Sequence, residues 1–410
     1  MPAITTELGY LALILALLVV PRALQRFLLP APLSCFGFGL ATALVLSGFG
    51  RDGTLALLAT LGISSLFLFA GLEIDLPALR RGVGPLLAHL AVRALTLAGF
   101  TVAAIYLFGL PWNAACLLAL AVLTPSTGFI LETLSRLGLD EQERFWVTTK
   151  AIGGEVLALL VLFVVLQSVS IERLAWSSAA LVGMVVLLPL LFTALGKYVV
   201  PYAPGSEFSL LVMVGLLAAY LTKQLGVYYL VGAFLVGMVA RLLRERMPAL
   251  ASEENLRAVK LFASFFVPFY FFNSGVNVPS GALQWNSLWL GLALTAAITP
   301  ARVGIVWAQR RLLVREDTRS SLRVAVALAP TLIFTLVLAS ILRERFAVPD
   351  ALYGALLVYA ALTTMLPSIA LSRSFDLDVT DLDVPPLGAT SGVTGGGVKA
   401  ATSVASQGTR

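Results

Sequence analysis

Apolar runs of about twenty residues, divided by short polar, glycine or proline breaks, fill the chain from residue 8 to residue 372. A run of that length crosses a ~30 Å hydrocarbon core as a helix. The pattern predicts an all-α membrane protein of about 13 spans: 8–27, 31–49, 54–73, 85–108, 112–134, 145–168, 175–197, 206–223, 227–243, 257–273, 287–309, 319–341 and 351–372. The first is interrupted at Pro21. Spans 206–223 and 227–243 are parted only by Gln224, Leu225 and Gly226. From Ser374 the chain turns rich in Gly, Ser, Thr and Asp and loses helical periodicity, so 373–410 reads as a disordered tail with no second soluble domain after it.

Loop charge sets the orientation. The odd-numbered loops hold fifteen Lys and Arg, among them Arg22, Arg26, Arg136, Arg144, Arg310 and Arg311; the even-numbered loops hold five: Arg51, Arg173, Lys223, Arg343 and Arg345. The positive-inside rule then puts the odd loops and the C-terminus in the cytoplasm and the N-terminus outside. No Lys or Arg precedes the first apolar run, where Glu7 is the sole charge, so that helix is expected to stay rather than be cleaved.

Composition agrees. The chain is 59% hydrophobic and 12% charged, against about 25% charged in soluble domains, and its mean hydropathy is +0.93. The lipid bilayer is its surrounding, and the net charge of +6 is loop charge rather than a nucleic-acid surface. Cys35 and Cys116 lie in apolar runs and form no metal spacing. The single histidine, His89, excludes a histidine metal site and reads as a packed or interfacial residue.

Against this background one acid stands out. Glu155 follows Gly153 and Gly154 inside the apolar run from Phe145 to Leu166. Eleven residues part it from Arg144, roughly 16 Å of helix, which is half the hydrocarbon thickness. An ionisable side chain at that depth is expensive to bury and marks an ion or proton path. Such a carboxylate holds a cation or a proton, and hardly both.

Two spans are broken by proline near the same depth, at Leu123-Thr124-Pro125-Ser126-Thr127-Gly128 and at Leu328-Ala329-Pro330-Thr331. Proline frees backbone carbonyls, and in lipid such breaks persist where they line a polar cavity. The two broken spans run in opposite directions, so 85–168 and 287–372 form inverted repeats, the arrangement that points to a transporter site. Thr124, Ser126 and Thr127 supply hard oxygens suited to an alkali cation. Arg302 lies eight residues before Arg310, about 12 Å inside the membrane edge. Two roles stay open for it: an ion pair with Glu155, or a fixed charge balancing the carbonyl ends of the broken helices. Lys150 reads as snorkelling to water, Arg93 as structurally paired, Asn273 as a helix cap, and Glu73 and Asp75 as an interfacial cluster with Arg80 and Arg81.

Several strings resemble the monovalent cation/proton antiporter family, which includes Kef-type potassium systems and bacterial sodium/proton exchangers. They are Phe67-Leu68-Phe69-Ala70-Gly71-Leu72-Glu73-Ile74-Asp75-Leu76, Thr124 to Leu139, Val231-Gly232-Ala233-Phe234-Leu235-Val236-Gly237, and Phe265-Phe266-Val267-Pro268 with Gly275. The resemblance covers about 8–372. It implies a panel or dimer domain (8–82 and 206–273), a core ion-binding domain (83–168 and 287–372) with two crossing broken helices, a linker helix within 169–205, a homodimer in a bacterial inner membrane, and an elevator-like motion. It also sets Arg302 at the family's basic position on its helix. Two departures stand out. Where electrogenic members carry two adjacent aspartates this chain has Gly154-Glu155, and where many carry Pro-Arg-Gly-Glu it has Pro330-Thr331-Leu332-Ile333.

The expectation is a secondary antiporter exchanging Na⁺ or K⁺ for H⁺ at Glu155, electroneutral because one acid titrates, with no cofactor and no enzymatic chemistry. A channel or uniporter, or a non-transporting sensor on the same scaffold, stands as the alternative.

Overall fold

In the computed structural model, residues 2–27, 29–45, 52–74, 83–244 and 252–371 are described. Arg51, Asp75, Arg80, Arg81, Arg246 and the tail lie outside them, so the expected interfacial charge cluster and the tail's disorder do too.

The helices are α1 (Pro2–Leu24), α2 (Ala31–Val45), α3 (Gly53–Leu72), α4 (Val83–Phe108), α5 (Trp112–Leu123), α6 (Thr127–Thr133), α7 (Glu141–Gln167), α8 (Ile171–Tyr198), α9 (Glu207–Gln224), α10 (Tyr229–Leu242), α11 (Glu253–Val276), α12 (Trp285–Gln309), α13 (Thr318–Ala327), α14 (Leu332–Phe346) and α15 (Asp350–Leu371). Among the described residues there is no strand. By length and composition ten helical segments among the described residues are able to cross a membrane, with α5 and α6 taken as one. The pair α13 and α14, bent by 44°, adds another, and α2 and α10 are shorter apolar helices. Each of the thirteen runs read from the sequence thus has its helix. Boundaries moved outward where caps extend the helix. α7 begins at Glu141 rather than 145 because Asp140 accepts from the Glu143 N–H at 2.7 Å while Glu143 accepts from the Asp140 N–H at 3.1 Å, a capping box.

Within one compact unit, two sets of helices make the most extensive contacts. In the first, α3 lies against α11 and α10, α2 against α11, and α9 against α10. Here glycines meet backbone reciprocally. A Cβ on Gly71 would stand 2.3 Å from the Phe234 carbonyl oxygen, and one on Gly237 2.2 Å from that of Leu68. Lipid supplies no hydrophobic drive between helices, so such close backbone approach is what holds them. In the second group α5 packs on α4 and α14, and α15 on α12 and α14. α4, α8 and α12 bury little of themselves inside the protein and present apolar faces outward.

Candidate ion site

The two broken helices touch at their breaks. α5 ends at Leu123 and α6 restarts at Thr127; α13 ends at Ala327 and α14 restarts at Leu332. The Ser126 N–H donates to the Pro330 carbonyl at 2.8 Å, and the Ile333 N–H donates to Ser126 Oγ at 2.9 Å. A helix end leaves carbonyls unsatisfied, and in an apolar interior each needs a donor. At the end of α5, Thr335 Oγ1 donates to Ala121 O (2.7 Å), Tyr359 OH to Val122 O (2.6 Å) and Arg93 Nη2 to Leu123 O (3.0 Å). At the end of α13, Arg302 donates through Nη2 to Leu328 O (3.2 Å) and through Nη1 to Ala329 O (3.0 Å) and the Tyr359 hydroxyl (2.9 Å). Two guanidinium groups therefore sit at the negative ends of two half-helix dipoles, linked through Tyr359.

Glu155 is 2% exposed. It lines a narrow pocket with Ser126, Thr127 and Gly128 of the first break and Ile333 and Phe334 of the second, closed by Leu66, Phe67 and Ala70 of α3. Glu155 Oε2, Thr127 Oγ1 and Thr124 Oγ1 are all buried, the Glu155 carboxylate next to Thr127, and Glu155 makes no ion pair among the described residues. Thr124 is buried at the break but is not among the residues lining this pocket, whereas Ser126 and Thr127 are. Thr331 Oγ1 bonds to Thr363 Oγ1 at 3.2 Å, away from the pocket. Pro125 and Pro330 stand at the two breaks.

Three expectations need correction or narrowing. Arg302 forms no ion pair with Glu155 among the described residues; of its two open roles, the geometry shows contact with the carbonyl ends. Arg93 is structurally paired, its partner now narrowed to the Leu123 carbonyl, and it packs beside Gly154, where a Cβ would stand 3.0 Å from its Cζ. Lys150 does not snorkel: it is 2% exposed and donates to Gln309 Oε1 at 3.3 Å, because α12 covers it and His89 shares the same amide oxygen. Tyr359 and Thr335 were not singled out in sequence. A lone hydroxyl in an apolar run looks like any other, and only the fold brings it to a helix end 237 or 214 residues away in the chain.

A wider cavity of about 460 Å³ adjoins the pocket through Leu66 and Gly128, which line both. It runs between α1, α2 and α11 on one side and α6 on the other, and carries Arg22, Arg136, Lys260 and one acid, Glu132. These basic residues border loops of the strongly basic face, so the cavity approaches the pocket from that side.

Among curated proteins no sequence match to the chain is found. Among solved structures, that of the sodium proton antiporter MjNhaP1 from Methanocaldococcus jannaschii at pH 8 is similar with a TM-score of 0.66 and 15% identity, over 90% of this chain and 96% of that one. A structure of the same antiporter from an electron-microscopy map gives 0.64 and 16%, over 89% and 94%. At this identity the likeness speaks for the fold alone. The family profile "sodium/hydrogen exchanger, transmembrane" matches residues 11–375. With nearly all the helical part of the chain inside that match, this protein belongs to the sodium/hydrogen exchanger family: it is an integral membrane cation/proton antiporter, not an enzyme, and it needs no cofactor beyond the ions it moves.

Proposed function

We propose that the chain exchanges Na⁺ or K⁺ for H⁺ one for one, with Glu155 binding each in turn. The observation that carries this reading is the pocket in which the Glu155 carboxylate lies buried beside the Thr127 hydroxyl with no ion pair among the described residues. A buried carboxylate without a compensating charge is costly, so it is poised to take up a cation or a proton. An alkali cation would find the Glu155 carboxylate, the Thr127 hydroxyl and the Ser126 hydroxyl, whose oxygen keeps a second lone pair after accepting from Ile333. Arg93 and Arg302 hold the break carbonyls and do not titrate in use. One exchanging carboxylate supports an electroneutral cycle.

The pocket wall is split between α3 and the broken helices. This supports an elevator-like motion in which the core (83–168 and 287–372) carries the ion past a panel (8–82 and 206–273), joined by the helix within 169–205, in a homodimer with the basic loops and the cytoplasm on one side. The 460 Å³ cavity is then the cytoplasmic access path.

The test uses purified protein in liposomes with an internal pH dye. Na⁺, K⁺ and Li⁺ are added in turn to wild type and Glu155→Gln. Cation-driven proton movement that is lost in the variant and insensitive to a clamped membrane potential is expected. Cation flux without proton counterflow would replace antiport with a channel; proton movement that tracks the potential would overturn electroneutrality.

A further inference from the structure

α15 is continuous, yet it reaches both breaks. Tyr359 and Thr363 stand one turn apart on it, and both are fully buried. The Tyr359 hydroxyl donates to the Val122 carbonyl at the end of α5 (2.6 Å) and accepts from Arg302 Nη1 (2.9 Å), the guanidinium that holds Leu328 O and Ala329 O at the end of α13. Thr363 Oγ1 meets Thr331 Oγ1, just before α14, at 3.2 Å. Capping Val122 O would need only a donor. Here the donor is also an acceptor for a cation, and a bond received from a guanidinium polarises the O–H and strengthens the bond it gives. A displacement of one helix end is therefore passed to the other through a single oxygen. The neighbouring carbonyls are held independently, Ala121 O by Thr335 and Leu123 O by Arg93. Without the Tyr359 hydroxyl the end of α5 stays capped on both sides but is no longer tied to Arg302. Thr127 follows Val122 by five residues, and Ser126 and Thr127 line the Glu155 pocket.

We infer that Tyr359 is a positioning residue for cation binding: from α15 it ties the end of α5 to Arg302 and so fixes the Ser126 and Thr127 oxygens relative to the Glu155 carboxylate. The inference rests on the proposed role of Glu155 as the site shared by cation and proton. It separates the two ions. A cation needs the carboxylate and the break oxygens together, and the stiffness of such a set decides which ion size fits. A proton needs the carboxylate alone. Loosening the tie weakens the cation and leaves the proton, so protons displace the cation up to a higher pH.

Tyr359→Phe tests it in liposomes with an internal pH dye, with Na⁺, K⁺ and Li⁺ titrated at a series of pH values. A hydrogen bond to a charged group is strong enough to change an affinity about tenfold. Expected are an apparent cation KM raised about tenfold, a maximal rate within about twofold of wild type, weaker discrimination among the three ions, and an acid limb of the rate profile moved up by about one pH unit. Arg302→Lys keeps the charge but gives up the planar fork. It cuts the tie from the other side and should move KM and the acid limb the same way, so it decides the matter if Tyr359→Phe fails to fold. A hydroxyl that only caps a carbonyl predicts a lower Tm and less active protein, with KM, ion preference and pH profile as in wild type. That result, or no change at all, overturns the inference. Glu155→Gln is run beside them: exchange that survives in it would sink the Glu155 reading, while the Tyr359→Phe shift in KM would still stand or fall by itself.

Discussion

Ser126 is bonded to the second break at both ends of its own residue: its N–H donates to the Pro330 carbonyl at 2.8 Å, and its hydroxyl oxygen accepts from the Ile333 N–H at 2.9 Å. One serine therefore stitches two half-helices more than two hundred residues apart. Ser126→Ala leaves a buried N–H without an acceptor, at a cost of about 1–3 kcal/mol. The expected result is a lower Tm in detergent together with slower exchange. Cysteine or glycine at this position loses the same acceptor strength, whereas Ser126→Thr retains it. An alanine variant with unchanged Tm would show that water takes over the Ile333 N–H.

How much of this was legible follows from the kind of signal each residue carries. Pro125, Pro330 and Glu155 break a local rule, a helix-breaker or an acid in an apolar run, and so they announce themselves. Their depth and the antiparallel sense of the two spans followed from helical rise and loop charge. Arg302 announced itself as well, but its partner did not: choosing between Glu155 and the carbonyl ends needs the positions of three helices at once. Tyr359 and Thr335 break no rule, since a hydroxyl on an apolar helix commonly bonds its own backbone, as Thr335 also does to Thr331 O at 2.9 Å. Lys150 misled for the opposite reason: long basic chains usually reach water, and only the cover of Gln309 on α12 prevents it.

Gly154 is the space into which Arg93 fits. A Cβ there would lie 3.0 Å from both Cζ and Nη1 of Arg93. A guanidinium is the movable end of a flexible chain, so Gly154→Ala is expected to fold and to displace Arg93 from the Leu123 carbonyl. With the end of α5 less well held, the exchange rate should fall several-fold in the liposome assay while the Tm drops little. Gly153→Ala meets Leu86 instead, at 2.9 Å from its Cδ1, and serves as the control: a packing effect on stability without the same loss of rate. Equal rate losses in both would remove Arg93 from the explanation.

Glu132 is the one acid in a cavity with three cations, Arg22, Arg136 and Lys260. An unrelieved positive cavity repels the ion that must cross it. Glu132→Gln is therefore expected to raise the apparent KM for the cation several-fold at low ionic strength with little change in maximal rate, and the difference should shrink in high salt as screening shortens its range. Loss of maximal rate at unchanged KM would place Glu132 in the exchange step itself.

At the start of α3, Asp52 accepts from the Tyr10 hydroxyl of α1 and from the Leu55 N–H at 2.9 Å. These bonds, the Tyr10 contact first, hold its carboxyl below the ordinary aspartate range. A carboxyl lowered in the folded state stabilises the fold while it is ionised. The contribution is complete above the unfolded value of about 4 and disappears as the pH falls through the lower folded value. Asp52→Asn is already neutral, so the Tm of wild type should exceed that of the variant at pH 7, and the gap should close progressively below pH 4. Tyr10→Phe removes the larger cause while leaving the helix cap, so it should show a smaller gap that closes over a narrower range nearer pH 4. A gap that stays constant from pH 7 to pH 3 would mean that the Asp52 bonds act through shape alone, with no preference for the ionised carboxylate.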